Sequence, residues 1–364
     1  MAGPEPGLRW VALGWRLCDC VRCPGPPTVT EANQQETRHP DGGAEFSSPG
    51  HCRSRGILDE VRTRPIRWTP AQPTAPDPDL PHRIDELAQL LNGRRVLALT
   101  GAGMSTDSGI PDYRSPGTPP RTPMTIEMFL SSSDFRRHYW ARNHLGWRHM
   151  DAAIPNAGHR ALAALERRGR VSGVITQNVD MLHLKAGNRA VLELHGSYGR
   201  VRCLDCDHRV SRHRLAELLE PANAEFVTRI RGRGAIEVAP DADVVVEDTT
   251  DFAMLDCPDC GGILKPDIVY FGESVPKSVV QQGYSMVDEA DAVLVLGSSL
   301  TVMSGLRFVR HARRTGKPIA IVNRGHTRGD ECATLKIDGS CSEVLTGWLQ
   351  SDRDEIVGMN NRPS

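Results

Sequence analysis

Neither sign of charge dominates this chain of 364 residues: 44 Lys and Arg face 45 Asp and Glu, leaving a formal net charge of −1. Without a basic excess, direct contact with nucleic acid is not expected. Long apolar runs are missing as well. No stretch nears the roughly 18 residues that a bilayer span requires, so no membrane partner is expected. The apolar patch at residues 8–15 has no basic segment before it and no small-residue cleavage site; a secretory signal is not expected. Residues 1–80 are rich in Pro, Gly and Arg, show no period of 2 or 3.6, and read as a disordered extension. Cys18, Cys20 and Cys23 fall in that extension without a fourth ligand and read as an incidental cluster. Residues 351–364 read as a flexible tail.

Past residue 80, periodicity appears. Residues 84–91 have helical spacing and stop at Asn92-Gly93 before an apolar strand at 95–100. A helix at 155–168 leads into a strand at 171–176. Further on, a strand at 292–296, a helix at 302–314 and a strand at 318–323 follow one another. Strands alternating with helices predict an α/β fold: a Rossmann-like open parallel sheet with helices on both faces. Residues 201–265 break the alternation and read as a small inserted domain, leaving 81–200 and 266–350 for the large part.

That insert carries Cys203-Leu-Asp-Cys206 and Cys257-Pro-Asp-Cys260. Two C-x-x-C knuckles supply the four soft ligands a tetrahedral Zn²⁺ prefers, and they leave no open position for water. One structural zinc is therefore expected. Paired thiols used for metal, not disulfides, also imply a reducing compartment, and we expect the cytoplasm.

The most informative stretch is GAGMSTDSGIPDYRSP, residues 101–116, directly after the apolar strand. Gly101-Ala102-Gly103 matches the start of a dinucleotide fingerprint, where glycines admit a pyrophosphate and the following helix offers N–H groups. The match then fails: Thr106 stands where the third glycine belongs. Asp107 and Ile110-Pro111-Asp112-Tyr113-Arg114 follow, a tail suited to covering a nucleotide as well as cradling it. Gln177-Asn178-Val179-Asp180 lies at the carboxyl end of a predicted strand, where open sheets bind ligands; turn chemistry is the plainer alternative. His195 sits where the large sheet meets the insert, a place for a cleft and a general base. His183 is its rival, and composition does not choose between them. Gly297-Ser298-Ser299 and Asn323-Arg324-Gly325 each follow a strand and suit phosphate and ribose.

Taken in order, these segments with ELHG (193–196) and GGILKPDIVYFGE (261–273) resemble the sirtuins, NAD-dependent protein-lysine deacylases. Tyr139-Trp140-Ala141-Arg142-Asn143, Gly146-Trp147 and the residues after Asp180 resemble the class II branch. The resemblance implies NAD⁺ as co-substrate and acylated-lysine proteins as substrates, with nicotinamide, 2′-O-acyl-ADP-ribose and free lysine as products. It implies a cofactor loop from Gly101 to Arg121, a nicotinamide pocket of Gln177, Asn178 and Asp180, and two catalytic residues, His195 as the base and Asn178. Gly297 to Ser299, Asn323 to Gly325 and Cys341 would hold the phosphates, ribose and adenine. Val269, Tyr270, Phe271, Gly272 and Glu273 would pair with an extended peptide. Tyr139 and Arg142 share the Tyr-x-x-Arg spacing with which another branch grips acidic acyl groups, but they sit in the class II pattern. Mono-ADP-ribosyl transfer, lipoamide-type acyl removal and an NAD-binding sensor are the alternative readings.

Overall fold

Short apolar runs become strands in the computed structural model, which describes residues 78–112, 124–206, 208–231, 246 and 248–360. In chain order the strands are β1 (Val96–Thr100), β2 (Val171–Thr176), β3 (Val191–Glu193), β4 (Gly196–Cys203), β5 (Arg209–Ser211), β6 (Leu264–Ile268), β7 (Ala292–Leu296), β8 (Ile319–Val322) and β9 (Leu335–Ile337). Six form a parallel sheet in the order β3-β2-β1-β7-β8-β9. All residues of β1, β7 and β8 are buried, as expected for strands covered on both faces.

Alternation along β1 shows the two faces. Val96 and Ala98 pack with Leu87, Leu162 and Val344, from the helices Leu80–Leu91, Ala157–Arg167 and Cys341–Asn360. Leu97 and Leu99 pack on the other side with Val287, Leu306 and Phe308, from the helices Lys277–Glu289 and Met303–Arg314. Each fully buried Leu or Val contributes about 1.5–3 kcal/mol. The chain moves outward from β1 to β2 and β3, then returns to add β7 on the opposite side. The switch point therefore lies between the carboxyl ends of β1 and β7.

Element ends shift for local reasons. The strand expected at 318–323 loses Pro318, which has no N–H to give a ladder, and Asn323. The helix expected at 155–168 begins at Ala157 because Asn156 caps it, Oδ1 accepting the His159 N–H at 3.1 Å. The first helix starts at Leu80, with a proline in its first turn.

Two domain expectations change. The smaller lobe exceeds residues 201–265: its antiparallel sheet β5-β4-β6 spans Gly196 to Ile268. Its core also takes Phe129, Tyr139, Trp140 and Trp147, from the helices Ile126–Ser131 and Ser133–Ala152. These aromatics precede the insert by some 60 residues, so local composition does not reveal the packing. Residues 351–360 are not a loose tail but the last turns of Cys341–Asn360. The buried Asp352 carboxylate accepts Arg168 Nη1 at 2.9 Å and Arg170 Nε at 2.5 Å. Its partners lie about 180 residues upstream, beyond the reach of a window read along the chain. The extension, with Cys18, Cys20, Cys23 and Cys52, lies outside the described residues apart from its last three.

Candidate active site

The loops after β1 and β7 meet at the switch point. Gly101 N donates to Leu296 O at 3.0 Å, and Gly103 N to Gly297 O at 2.8 Å. A Cβ on Gly297 would lie 2.3 Å from Met104 N, and its φ is +59°. Glycine is needed here because two backbones touch, a stronger demand than the approach of a pyrophosphate. The expected α-helix after the glycines is absent. Two 3₁₀ turns, Ala102–Met104 and Thr106–Ser108, take its place and end at left-handed Gly109.

These loops open onto a cavity of about 640 Å³. It is lined by the predicted Gly101, Ala102, Gly103, Thr106, Asp107, Ile110, Pro111 and Asp112 on one side. Gln177, Asn178, Val179, Asp180, His195 and the segment 269–273 lie along the middle, and Gly297, Ser298, Ser299, Asn323, Arg324 and Cys341 complete the wall. Gly325 is not among them: its N–H instead closes a turn on Asp338 Oδ1 at 2.8 Å. Tyr113, Arg114 and Arg121 lie outside the described residues.

The TQNVD stretch does more than turn. Asn178 Nδ2 donates to Gly101 O and to Ser105 Oγ, each at 3.0 Å. Ser105 Oγ donates to Asp180 Oδ2 at 2.6 Å, and Asp180 Oδ1 accepts Leu182 N at 2.9 Å. Gln177 Oε1 accepts Ser298 Oγ at 2.6 Å. One amide and one carboxylate thus stitch the β2 end to the β1 loop, and a second amide stitches it to the β7 loop. Ser105 was not foreseen, since a serine in a loop carries no periodic signal.

His195 and His183 are separated by burial and reach. His195 lines the cavity; His183 does not, and its Nε2 lies 2.9 Å from Thr100 Oγ1 beneath the sheet edge. His195 Nδ1 is 2.9 Å from Gln177 O and its Nε2 is 2.8 Å from Ser304 Oγ. A carbonyl only accepts, so Nδ1 carries the proton and Nε2 is the basic nitrogen. Burial holds the His195 pKa below its usual 6.5, opposed by the Gln177 carbonyl and reinforced by Arg307. The ring is neutral, and able to accept a proton, at neutral pH.

Behind it, the rings of His159 and His183 lie 4.8 Å apart. Burial pushes His159 down to about 2 and lowers His183, in both cases as the first cause. The sign follows directly: unfolding frees both rings to bind protons near pH 6.5, so their stabilisation is full above that pH. It is lost as pH falls toward the folded values, at about 1.4 kcal/mol per pH unit for each ring. We expect urea midpoints to drop between pH 7 and 5, and His159→Phe to flatten that slope; a slope unchanged by the substitution would refute this origin.

The segment 269–273 offers less backbone than a free edge strand. Val269 N bonds His195 O at 2.8 Å, Phe271 O accepts Ile126 N at 3.0 Å, and Tyr270 O accepts Glu273 N at 3.0 Å. Tyr270 N also bonds Glu273 Oε2 at 2.9 Å. The segment curls through left-handed Gly272 instead of running straight. Tyr139 and Arg142 do not line the cavity: the Tyr139 hydroxyl is 3.4 Å from that of Tyr198, and Arg142 Nη1 is 3.1 Å from His138 Nε2. Cys341 is buried, which pushes its thiol up to about 12 and keeps it a neutral wall, not a nucleophile.

The four knuckle cysteines converge. Their Sγ atoms lie within 4.8 Å of one another, with Cys203–Cys260 at 3.6 Å and Cys206–Cys257 at 3.7 Å. A Zn²⁺ with four bonds of about 2.3 Å requires edges of about 3.8 Å. Cys203, Cys206, Cys257 and Cys260 therefore fit a four-sulfur zinc site.

Residues 101–304 match the Sir2 family. An NAD-dependent protein deacetylase 1 of Mycobacterium avium (strain 104) is 63% identical over 260 residues, 71% of this chain and 92% of the relative. A protein of the same name from Streptomyces coelicolor is 50% identical over 292 residues, 79% and 95% of the two chains. Among solved structures, one described as Sir2-p53 peptide-NAD+ is similar with a TM-score of 0.60 at 30% identity. It covers 74% of this chain and 99% of that one. By sequence, by fold and by the order of its segments, the chain belongs to the Sir2 family, the sirtuins.

Proposed function

We propose that the protein is an NAD⁺-dependent protein-lysine deacylase of the deacetylase type. The observation that carries this is His195: a neutral imidazole with its basic nitrogen defined, in a cavity at the junction of the two lobes. The family and the two bacterial deacetylases similar to it support the same reading. The use of paired cysteines as metal ligands supports a reducing compartment, in line with the cytoplasm.

The cavity fits a dinucleotide by size and by donor set. Its volume lies within the roughly 300–1,000 Å³ of cofactor pockets. Hydroxyls and amides of Ser298, Ser299 and Asn323 line it together with the 102–112 loop. NAD⁺ supplies an anomeric carbon with nicotinamide as leaving group. The protein's part is to orient and to exclude water, so that a weak nucleophile, the acyl-lysine oxygen, meets that carbon in near-attack geometry. Asn178, Ser105 and Asp180 hold the loop, Gln177 and Ser298 hold the opposite wall, and His195 Nε2 takes a proton from a ribose hydroxyl. The four cysteines would hold a structural zinc, and none of them lines this cavity.

Incubating the protein with NAD⁺ and peptides bearing acetyl-, succinyl-, glutaryl-, lipoyl- or long-chain acyl-lysine tests this. Nicotinamide and free-lysine peptide should appear together in equal amounts, with acetyl-lysine among the accepted groups. Label from [adenylate-³²P]NAD retained on protein, without acyl-ADP-ribose, would favour ADP-ribosyl transfer. Binding of NAD⁺ without turnover on any peptide would leave a sensor.

A further inference from the structure

Both ring nitrogens of His195 are engaged by the protein. The Gln177 carbonyl holds Nδ1–H. Ser304 Oγ stands 2.8 Å from Nε2, the nitrogen that must accept the proton. Ser304 is 7% exposed and does not line the cavity, so it acts through the imidazole and not on substrate.

Building on the reading of His195 as base, the geometry points to Ser304 as a positioning residue for the proton transfer. Its hydroxyl holds Nε2 while the base is neutral and accepts the Nε2–H once the base is charged. A carbonyl or an amide cannot do both; a hydroxyl can, by rotating its O–H. In the step itself the Ser304 O–H rotates off the single Nε2 lone pair, and the substrate hydroxyl's proton moves to it. The electron pair of the broken O–H bond forms the new carbon–oxygen bond. Ser304 neither gains nor loses a proton.

The helix start is built for this contact. Ser304 lies in the first turn of Met303–Arg314, which has no side-chain cap at Val302. A Cβ on the next residue, Gly305, would lie 2.7 Å from Gln177 Nε2. The helix end is thus seated on the residue whose carbonyl holds the other side of the ring. Ser298, in the loop after β7, fixes the Gln177 amide at 2.6 Å. The charged group acting on the ring is Arg307 on the same helix, and Asp107, Asp112, Asp180, Glu273 and Arg324 line the cavity. Arg307 and the helix N-terminus both oppose a charged imidazole, which makes an acceptor for Nε2–H more valuable.

The test compares Ser304→Ala, Ser304→Thr and the parent. Ser304→Ala should lower kcat for deacylation about tenfold, the loss of one hydrogen bond, with KM for NAD⁺ changed less than about twofold. The charge-assisted bond lost by the imidazolium is stronger than the neutral bond lost by the imidazole. The acidic limb of kcat should therefore move to lower pH, by about half a unit or more, and Ser304→Thr should restore both values. ¹⁵N NMR of the His195 ring should show the same displacement without any turnover. An unmoved ring titration in Ser304→Ala, at an unchanged melting temperature, overturns the proposal. If the ring titration moves but the parent makes no free-lysine peptide, it is the deacylase reading that fails, not the contact.

Discussion

Replacing His195 with alanine is expected to lower formation of the free-lysine peptide by about 10²–10⁴-fold, the usual contribution of a positioned general base. The substitution removes the one basic nitrogen whose protonation state the fold defines. The other imidazole lining the cavity, His326, is paired with Asp330, Nδ1 to Oδ2 at 3.3 Å, and is mostly exposed. It has no comparable seat. NAD⁺ should still protect the variant against thermal unfolding, because the walls formed by the 102–112 loop and by Ser298, Ser299 and Asn323 are untouched. In the parent, the lowered pKa of His195 predicts an acidic limb of kcat below the range of an ordinary imidazole. Steady-state rates across pH, with melting curves at each NAD⁺ concentration, check all three points. Undiminished free-lysine formation in the variant would remove His195 from the reaction.

Zinc removal is expected to act as severely, though on structure. Cys203 ends β4 and the second knuckle immediately precedes β6, and the two strands pair from Gly196 to Ile268. The continuation of β6 is the wall segment 269–273, and Val269 N is bonded to His195 O at 2.8 Å. Loosening the metal therefore loosens the cavity wall and the backbone of the base. Structural zinc contributes roughly 10–16 kcal/mol to folding in isolated zinc-finger peptides. Here an apolar core of Val201, Leu215, Phe226 and Leu264 shares the task, so several kcal/mol is the expected loss. At about 2–4 °C per kcal/mol for a domain of this size, the melting temperature should drop by about 10 °C or more. Activity should disappear with the metal and return when Zn²⁺ is restored. Metal-free protein, confirmed by elemental analysis, that melts and turns over like the parent would refute a structural zinc.

How far the sequence carried these conclusions depended on how local each signal was. Apolar runs such as VLALT and AVLVL announced buried strands because strand burial is written in consecutive residues. The cysteine knuckles were legible for the same reason: ligand spacing is short and chemically narrow. Choosing His195 over His183 needed either family resemblance or the fold, because both are single imidazoles in one stretch. The partners of the site were the least legible. Ser105 and Ser304 are ordinary serines until the fold brings Asp180 and His195 beside them. The curl of 269–273 hid behind a pattern that reads as extended. The Asp352 tie to Arg168 and Arg170 joins segments that no window along the chain can see together.

That last helix also bears on how the protein is made. Cys341, Val344, Leu345 and Trp348 cover the same face of the sheet as Leu87, Leu91 and Leu162. Ribosomes emit about 5–20 residues per second, so β1 leaves the tunnel tens of seconds before these residues can reach it. Throughout that interval one side of the nascent sheet lacks part of its cover, and for most of it β1 has no β7 to pair with. The newborn chain thus presents unpaired, apolar strands for a time that is long on the scale of collapse. Chaperones at the tunnel exit bind surfaces of this kind.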